Sequence, residues 1–264
     1  MTGADTDPVR SPTSENPLTV VFLGINNIGQ RVYDWLCDRK DVRVLAMLTE
    51  RDQLPLVERL APDMVVAVGF RHILPPEILS VPERGCLNLH PGLLPETRGF
   101  NPNVWSIVED RPAGATLHFM DEGVDAGPIV ARREVPTRFD DTGKDVYERI
   151  EAAAIDLFED TWPAIATGEI DTVPQPDFPD DGEAEAGGTE VSYHVKEDFV
   201  DLCELDPDAS YNVKELLDLL RALTFPPFDN ASVTVDGERY YVEVDIHHED
   251  EANHDAAVGA LESY

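Results

Sequence analysis

Short apolar runs alternate with stretches of helical periodicity along the first two thirds of the chain. Thr19-Val-Val-Phe-Leu-Gly24 is a β-branched run closing on glycine, the pattern of a strand buried on both faces. Asn26-Asn27 follow, and then Ile28, Val32, Trp35 and Leu36 recur at helical spacing. Val42–Leu48, Met64–Val68 and Cys86–Leu89 read as further strands, with a short helix at Gln53–Leu60 and a helical turn at Pro75–Leu79 between them. Pro102–Val108 reads as a helix, with Asn101 as its N-cap and proline at the first helical position. Ala115–Met120 and Pro128–Val135 are strands again. A long helix then runs from about Gly143 to Ala166, with Val146, Ile150, Ala153, Ala154, Leu157, Phe158 and Trp162 on one face. This alternation predicts an open, mainly parallel sheet with helices on both faces, binding its ligands beyond the carboxyl ends of the strands.

The pattern also divides the chain. Residues 1–17 hold Pro, Ser, Thr, Asp and Glu without an apolar core, which predicts a disordered lead-in rather than a secretory signal. Residues 18–170 form the α/β domain. Residues 171–190 change to Pro, Gly, Asp and Glu and read as an acidic linker. A small α+β C-terminal module occupies 191–246. Its helix spans Val213–Leu223, with Asn212 and Glu215 spaced as a capping box, and Phe225-Pro226-Pro227 stops it. A hairpin follows, Ser232–Val235 and Tyr240–Val244, turning at Asp236-Gly237. Residues 247–264 are an acidic tail.

Charge changes the picture of the surface. The 264 residues carry 53 acidic and 20 basic side chains, a formal net charge of -33, with 42% hydrophobic residues for a core. Such an excess points to a salt-rich cytoplasm, where screening contracts to about 3 Å at 1 M salt. Because the bias would be general in such a cell, it argues only weakly against nucleic-acid binding. Cys37, Cys86 and Cys203 lie far apart without CxxC spacing, so neither a disulfide framework nor a metal site is expected. No apolar run reaches about 18 residues, and a soluble, cytoplasmic protein is expected.

The chemistry concentrates between Gly85 and Gly127. Asn88 and His90 stand two apart at a strand end and so project from one side of the sheet, before Pro91-Gly92 turns the chain. Asp125 lies in a glycine-bracketed loop, where backbone can approach a ligand closely. An amide, an imidazole and a carboxylate suit acyl transfer: the first two hold a developing oxyanion, and the third keeps the imidazole charged or relays a proton. Neither serine nor cysteine accompanies them in the motif, which favours direct transfer over a covalent intermediate. His118 faces the other way on the alternation and serves either the neighbouring backbone or the site.

These elements, Asn88-Leu-His90-Pro, Leu93-Leu94-Pro95 with Arg98-Gly99, Gly114-Ala-Thr116-Leu-His118 and Asp125-Ala-Gly127, occur in the order and spacing of a known family. Over about residues 19–168 the chain resembles the folate-dependent formyltransferase superfamily, which includes glycinamide ribonucleotide, methionyl-tRNA and sugar-nucleotide formyltransferases. The resemblance implies a Rossmann-like fold, 10-formyltetrahydrofolate as co-substrate, no metal, and Asn88, His90 and Asp125 as the catalytic trio. It implies a pterin pocket walled by Phe70, Arg71, His72, Ile73 and Leu74 and by the loop with Asp121, Glu122 and Val124. Leu93-Leu94-Pro95 and Arg98-Gly99 would shape the floor between donor and acceptor, with Arg98 either meeting substrate or fastening its loop. Gly24-x-x-x-x-Gly29 is no P-loop, since Gln30 stands where lysine belongs, although Asn26 and Asn27 at a helix start could hold an acceptor's phosphate. Between Thr49 and Asp63 the chain has only a short helix, where relatives carry a longer excursion, which puts the acceptor pocket in question.

The C-terminal unit discriminates acceptors. Methionyl-tRNA formyltransferases carry a basic β-barrel of about twice its length, whereas Leu220-Arg-Ala-Leu-Thr-Phe-Pro-Pro227 with a hairpin resembles the small module of sugar N-formyltransferases. The expected acceptor is therefore the amine of a nucleotide-linked amino sugar. A methionyl-tRNA formyltransferase with a reduced C-terminal domain and a catalytically idle folate-binding protein are the alternatives. Sugar-acting relatives often pair, so a homodimer is compatible with this reading.

Overall fold

The computed structural model describes residues 11–24, 26–176, 184–186 and 189–250. The expected tail beyond residue 250, the first ten residues, and residues 177–183 and 187–188 of the expected linker lie outside them.

The α/β domain begins with β1 (Leu18–Leu23), α1 (Asn27–Cys37), β2 (Val42–Leu48), α2 (Pro55–Leu60), β3 (Met64–Ala67), α3 (Pro76–Leu79) and β4 (Cys86–His90). It continues with β5 (Thr97–Gly99), α4 (Pro102–Val108), β6 (Ala113–Phe119), β7 (Ile129–Val135) and α5 (Gly143–Thr167). Six strands form one sheet in the order β2-β1-β3-β4-β6-β7. The first four are parallel, and β6 and β7 extend the sheet antiparallel. Alternation along β1 explains the two-sided burial. Val20 and Phe22 enter a core with α1, α4 and α5, while Val21 and Leu23 enter a second core with α2 and α3. On the first side Trp35 meets Phe158 and Trp162 edge-on, at 5.8 and 6.3 Å, contacts worth about 0.5–1.5 kcal/mol each beyond burial.

Local sequence sets the helix ends. Asn26 caps α1 by accepting from Gly29 N at 2.8 Å, and Thr142 with Asp145 forms a capping box on α5, which closes on Gly168 at φ 76°. Asn101 departs from expectation. It lies in the left-handed region at φ 52°, makes no side-chain cap bond, and serves α4 through its carbonyl, which accepts from Val104 N at 2.9 Å. Asn212 caps by accepting from Lys214 N, so the expected box with Glu215 does not form. Only a short 3-10 turn and α2 fill Thr49–Asp63.

Beyond α5 come β8 (Ala184–Ala186), β9 (Thr189–His194), α6 (Lys196–Leu202), β10 (Glu204–Leu205) and α7 (Val213–Leu223). The small strands β11 (Thr224–Phe225), β12 (Phe228–Asp229), β13 (Ser232–Val235) and β14 (Glu238–Tyr241) complete the described elements. The hairpin expected to return at Tyr240–Val244 returns earlier, in β14, because Asp236 and Gly237 alone form the turn. α7 packs on the first domain through Arg221, whose Nη1 donates to Arg138 O at 3.1 Å and Asp141 O at 3.0 Å. β9 pairs in parallel with β5, so the C-terminal third contributes directly to the domain carrying Asn88 and His90. Among the described residues no helix is long and apolar enough to cross a membrane.

Candidate active site

Asn88 and His90 stand on β4, and the strand register opposes Asn88 to His118 and His90 to Thr116 on β6. Residues directly opposite across an antiparallel pair share a face. His118 is therefore inside the site, correcting the expectation that it faces away. Its Nδ1 lies 2.9 Å from Phe119 O, and because a carbonyl only accepts, Nδ1 carries the proton. Its Nε2 then accepts from Asn88 Nδ2 at 3.0 Å, which leaves Asn88 a second amide hydrogen for an oxygen in the cavity.

Asp125 reaches the same point from the loop between β6 and β7. Its Oδ2 is 3.5 Å from His90 Nδ1, its Oδ1 is 3.6 Å from His118 Nε2, and Gly99 N donates to Oδ2 at 3.0 Å. The expected trio thus converges, with His118 as a fourth member. Asp125 sits at φ 50°, a left-handed conformation that costs about 1–3 kcal/mol unless its surroundings enforce it. Gln175, in the stretch read as linker, supplies part of that enforcement. Its Nε2 donates to Asp125 O at 2.9 Å and Gly127 O at 2.7 Å. Val173 pairs with Ile129 on β7 in both directions at 2.8 Å and seats Gln175 beside the loop.

The electrostatics separate the partners. Burial opposes charge on Asp125, but His90, His118 and the Gly99 N–H outweigh it and hold the carboxyl well below the usual carboxylate range. Burial pushes the His90 imidazole below its ordinary value, with Asp125 opposing that and His118 adding to it. His90 Nε2 lies 3.0 Å from Thr97 O and donates to it. At neutral pH the ring is then uncharged, with the Nδ1 lone pair beside a carboxylate. This arrangement accepts a proton, which modifies the expectation of a standing imidazolium. Gly92 must remain glycine beneath this ring, since a Cβ there would lie 2.5 Å from His90 Nε2.

The three side chains line a cavity of about 380 Å³. Phe70, Arg71, His72, Ile73, Leu74, Asp121 and Val124 also line it; Glu122 does not. Ile73 leaves 68% of its surface exposed there, an apolar wall suited to a flat heterocycle. Arg98 is buried at 2% exposure and donates through Nε to Val124 O at 3.0 Å and through Nη2 to the same oxygen. It fastens the Asp125 loop and lies outside the cavity lining. Asn26 and Asn27 are likewise outside that lining, Asn26 with its Oδ1 engaged on Gly29 N and Asn27 exposed. Sequence reasoning missed the wall built by Tyr193, His194, Val195 and Lys196, because no periodicity ties that stretch to β5. Among the described residues no group of three or more His, Cys, Asp or Glu is placed to hold a metal ion.

An open, mainly parallel sheet with an amide, an imidazole and a carboxylate at its rim defines an α/β protein with an acyl-transfer type of site. Residues 36–161 match the model of the formyl transferase family, and residues 198–248 match that of the N-formyltransferase dimerization C-terminal domain. Together the matches cover more than half of the chain, which belongs to the formyl transferase family. A methionyl-tRNA formyltransferase of Myxococcus xanthus is 37% identical over 126 residues, 46% of this chain and 40% of that protein. The chain thus spans about two fifths of the length of that curated relative. Among solved structures, a sugar N-formyltransferase from Shewanella superposes with a TM-score of 0.75 at 24% identity, over 88% of this chain and 98% of that one. The formyltransferase PseJ from Anoxybacillus kamchatkensis, solved with UDP-4,6-dideoxy-4-formamido-L-AltNAc and tetrahydrofolate, gives a TM-score of 0.56 at 29% identity. That match covers 68% of this chain and 87% of that one.

Proposed function

We propose that this chain moves a formyl group from 10-formyltetrahydrofolate to the primary amine of a nucleotide-linked amino sugar. The observation that carries the reading is the meeting of Asn88, His90 and Asp125 at one cavity in a formyl transferase domain. Phe70, Ile73, Leu74 and Val124 supply apolar surface for the pterin end of the donor.

The donor supplies an activated formyl carbon bonded to nitrogen. The free hydrogen of the Asn88 amide holds the formyl oxygen as charge develops on it. His90 Nδ1 takes the proton released as the acceptor nitrogen bonds to the formyl carbon, and Asp125 with Thr97 O stabilises the resulting imidazolium. The same proton passes to the departing nitrogen of the carrier as its bond to carbon breaks. One bond forms, one breaks, and no redox partner is required.

The acceptor reading is supported by the C-terminal match, by likeness to a sugar N-formyltransferase along nearly its whole length, and by the nucleotide sugar named in the PseJ complex. A methionyl-tRNA acceptor is favoured by a different observation, the 37% identity in the first domain to a methionyl-tRNA formyltransferase. The C-terminal unit also supports assembly. β14 is the edge of its three-stranded sheet and leaves Tyr240 and Tyr241 half exposed, a surface suited to a second copy. Incubation with 10-formyltetrahydrofolate and a panel of nucleotide-linked amino sugars, at high salt, tests the activity. Release of tetrahydrofolate with formation of a formamide on at least one sugar is expected, and no product across the panel would refute the acceptor assignment.

A further inference from the structure

The two family matches leave residues 162–197 between them, yet part of the cavity wall comes from that interval. The β5–β9 pairing fixes it. Gly99 pairs with His194, and Phe100 N donates to His194 O at 2.7 Å. Gly99 has φ 84°, and a Cβ there would fall 2.2 Å from that carbonyl, so only glycine permits the approach. The His194 ring stacks on Trp105 at 3.5 Å between centroids and 8° between planes, and its Nε2 lies 2.5 Å from Glu109 Oε1. Gly99 N also holds Asp125, so this wall adjoins the reacting centre.

Lys196 stands at the end of this wall, where α6 begins. Its neighbour Asp198 is occupied, accepting from Val195 N at 2.8 Å and lying 3.6 Å from His194 Nδ1. No carboxylate of a described residue lies within 4.0 Å of the Lys196 ammonium. Some other basic side chains face carboxylates, as Arg39 does Asp41, Arg132 Glu96, Arg149 Asp141 and Lys214 Asp218, but of the lysines and arginines lining the cavity neither Arg71 nor Lys196 does so among the described residues. At a net charge of -33 the long-range field repels anions, so an anionic ligand needs a local cation at its point of contact. An ammonium on a flexible stem suits a phosphate as a point charge. Beside it Phe100 and Val195, 37% and 38% exposed, offer apolar surface for a sugar or base.

Resting on the acceptor reading above, we propose that Lys196 holds a phosphate of the acceptor and makes this wall the nucleotide subsite. The carboxylates of the folate carrier are the other source of negative charge. Arg71, on the 69–74 wall and likewise without a carboxylate within 4.0 Å among the described residues, stands on the donor side.

The test is titration calorimetry of the full chain, at fixed ionic strength, with a panel of nucleoside diphosphates and separately with tetrahydrofolate. Wild type is expected to bind at least one nucleoside diphosphate. Lys196→Gln should weaken that binding about tenfold or more, the range for a lost charged hydrogen bond, and Lys196→Arg should restore most of it. Tetrahydrofolate affinity should be the same in all three. Undiminished nucleotide binding by Lys196→Gln, a loss falling on tetrahydrofolate instead, or a wild type that binds no nucleoside diphosphate would each overturn the proposal. The two readings fail separately. Formylation of a nucleotide sugar with an unchanged acceptor KM in Lys196→Gln sinks the subsite alone. Lys196-dependent nucleotide binding by a chain that formylates no nucleotide sugar keeps the subsite and sinks the acceptor reading.

Discussion

The side-chain amide of Gln175 donates to the main-chain carbonyl of Asp125 at 2.9 Å, so a residue fifty positions away in sequence fixes the loop that carries the site's carboxylate. The same nitrogen holds Gly127 O at 2.7 Å, clamping the loop on both sides of Ala126. Gln175→Leu removes both bonds, each worth about 0.5–1.5 kcal/mol. Because Asp125 occupies a left-handed backbone conformation, the loop should relax and move the carboxylate from His90. The expected result is a roughly tenfold fall in kcat with the donor KM unchanged. Steady-state kinetics on both substrates checks this, and a rise in donor KM at unchanged kcat would assign Gln175 to binding instead.

His90→Ala removes the proposed proton acceptor. Loss of a general acid–base group costs about 10²–10⁴ in rate, while tetrahydrofolate, for which the proposed seat is the 70–74 wall, should bind as before. Asp125→Asn should fall to a similar level, since a neutral amide cannot stabilise the imidazolium. Single-turnover formylation paired with calorimetry separates the two effects.

His118 should act through Asn88. Its Nε2 accepts from Asn88 Nδ2 at 3.0 Å, so His118→Phe leaves the carboxamide free to rotate and withdraws a contact near Asp125. A fall in kcat of about tenfold is expected, smaller than for Asn88→Ala, and the double variant should be no slower than Asn88→Ala alone. Additive losses in that cycle would give His118 an independent role.

The pH dependence follows from the buried pair. Burial lowers the pKa of His90, so the ring is neutral at pH 7 and takes its proton below the ordinary histidine value. Turnover should fall as pH drops through that lowered pKa, while Asp125, also lowered, stays charged across the range. Stability follows the same sign. Both groups bind fewer protons folded than unfolded, so each stabilises the fold above its unfolded pKa and ceases to do so as pH falls through its folded one. A pH–rate profile with an acid limb that disappears in a His90 variant is the expected outcome.

Much of this was legible in the chain. β2, α4 and α7 fall where the apolar pattern puts them, because long periodic segments record which face is buried. Asn88 and His90 were legible because strand alternation puts residues two apart on one face, and Asp125 because its glycine-bracketed loop belongs to the motifs that carry the resemblance. What stayed hidden depends on long-range pairing. His118 belongs to the site only through the β4–β6 register, and Gln175 and Lys196 only through strands and bridges that join distant segments. Periodicity fixes the two faces of a strand but not which strand lies beside it. Arg98 shows the converse, a conspicuous arginine whose charge meets a backbone carbonyl behind the wall.

The acidic surface makes its own prediction. With a net charge of -33, self-repulsion weakens as the screening length contracts from about 10 Å at 0.1 M to about 3 Å at 1 M salt. Thermal melts across that range should show Tm rising with potassium chloride, and a Tm that falls would contradict salt adaptation.

The most direct test is product analysis after mixing the full chain with 10-formyltetrahydrofolate and nucleotide-linked amino sugars, beside charged initiator tRNA as a competing acceptor. The account predicts tetrahydrofolate release matched mole for mole by a new formamide on a sugar, abolished by His90→Ala. Formylation of the charged tRNA with every sugar untouched, or sugar formylation at full rate in His90→Ala, would contradict it.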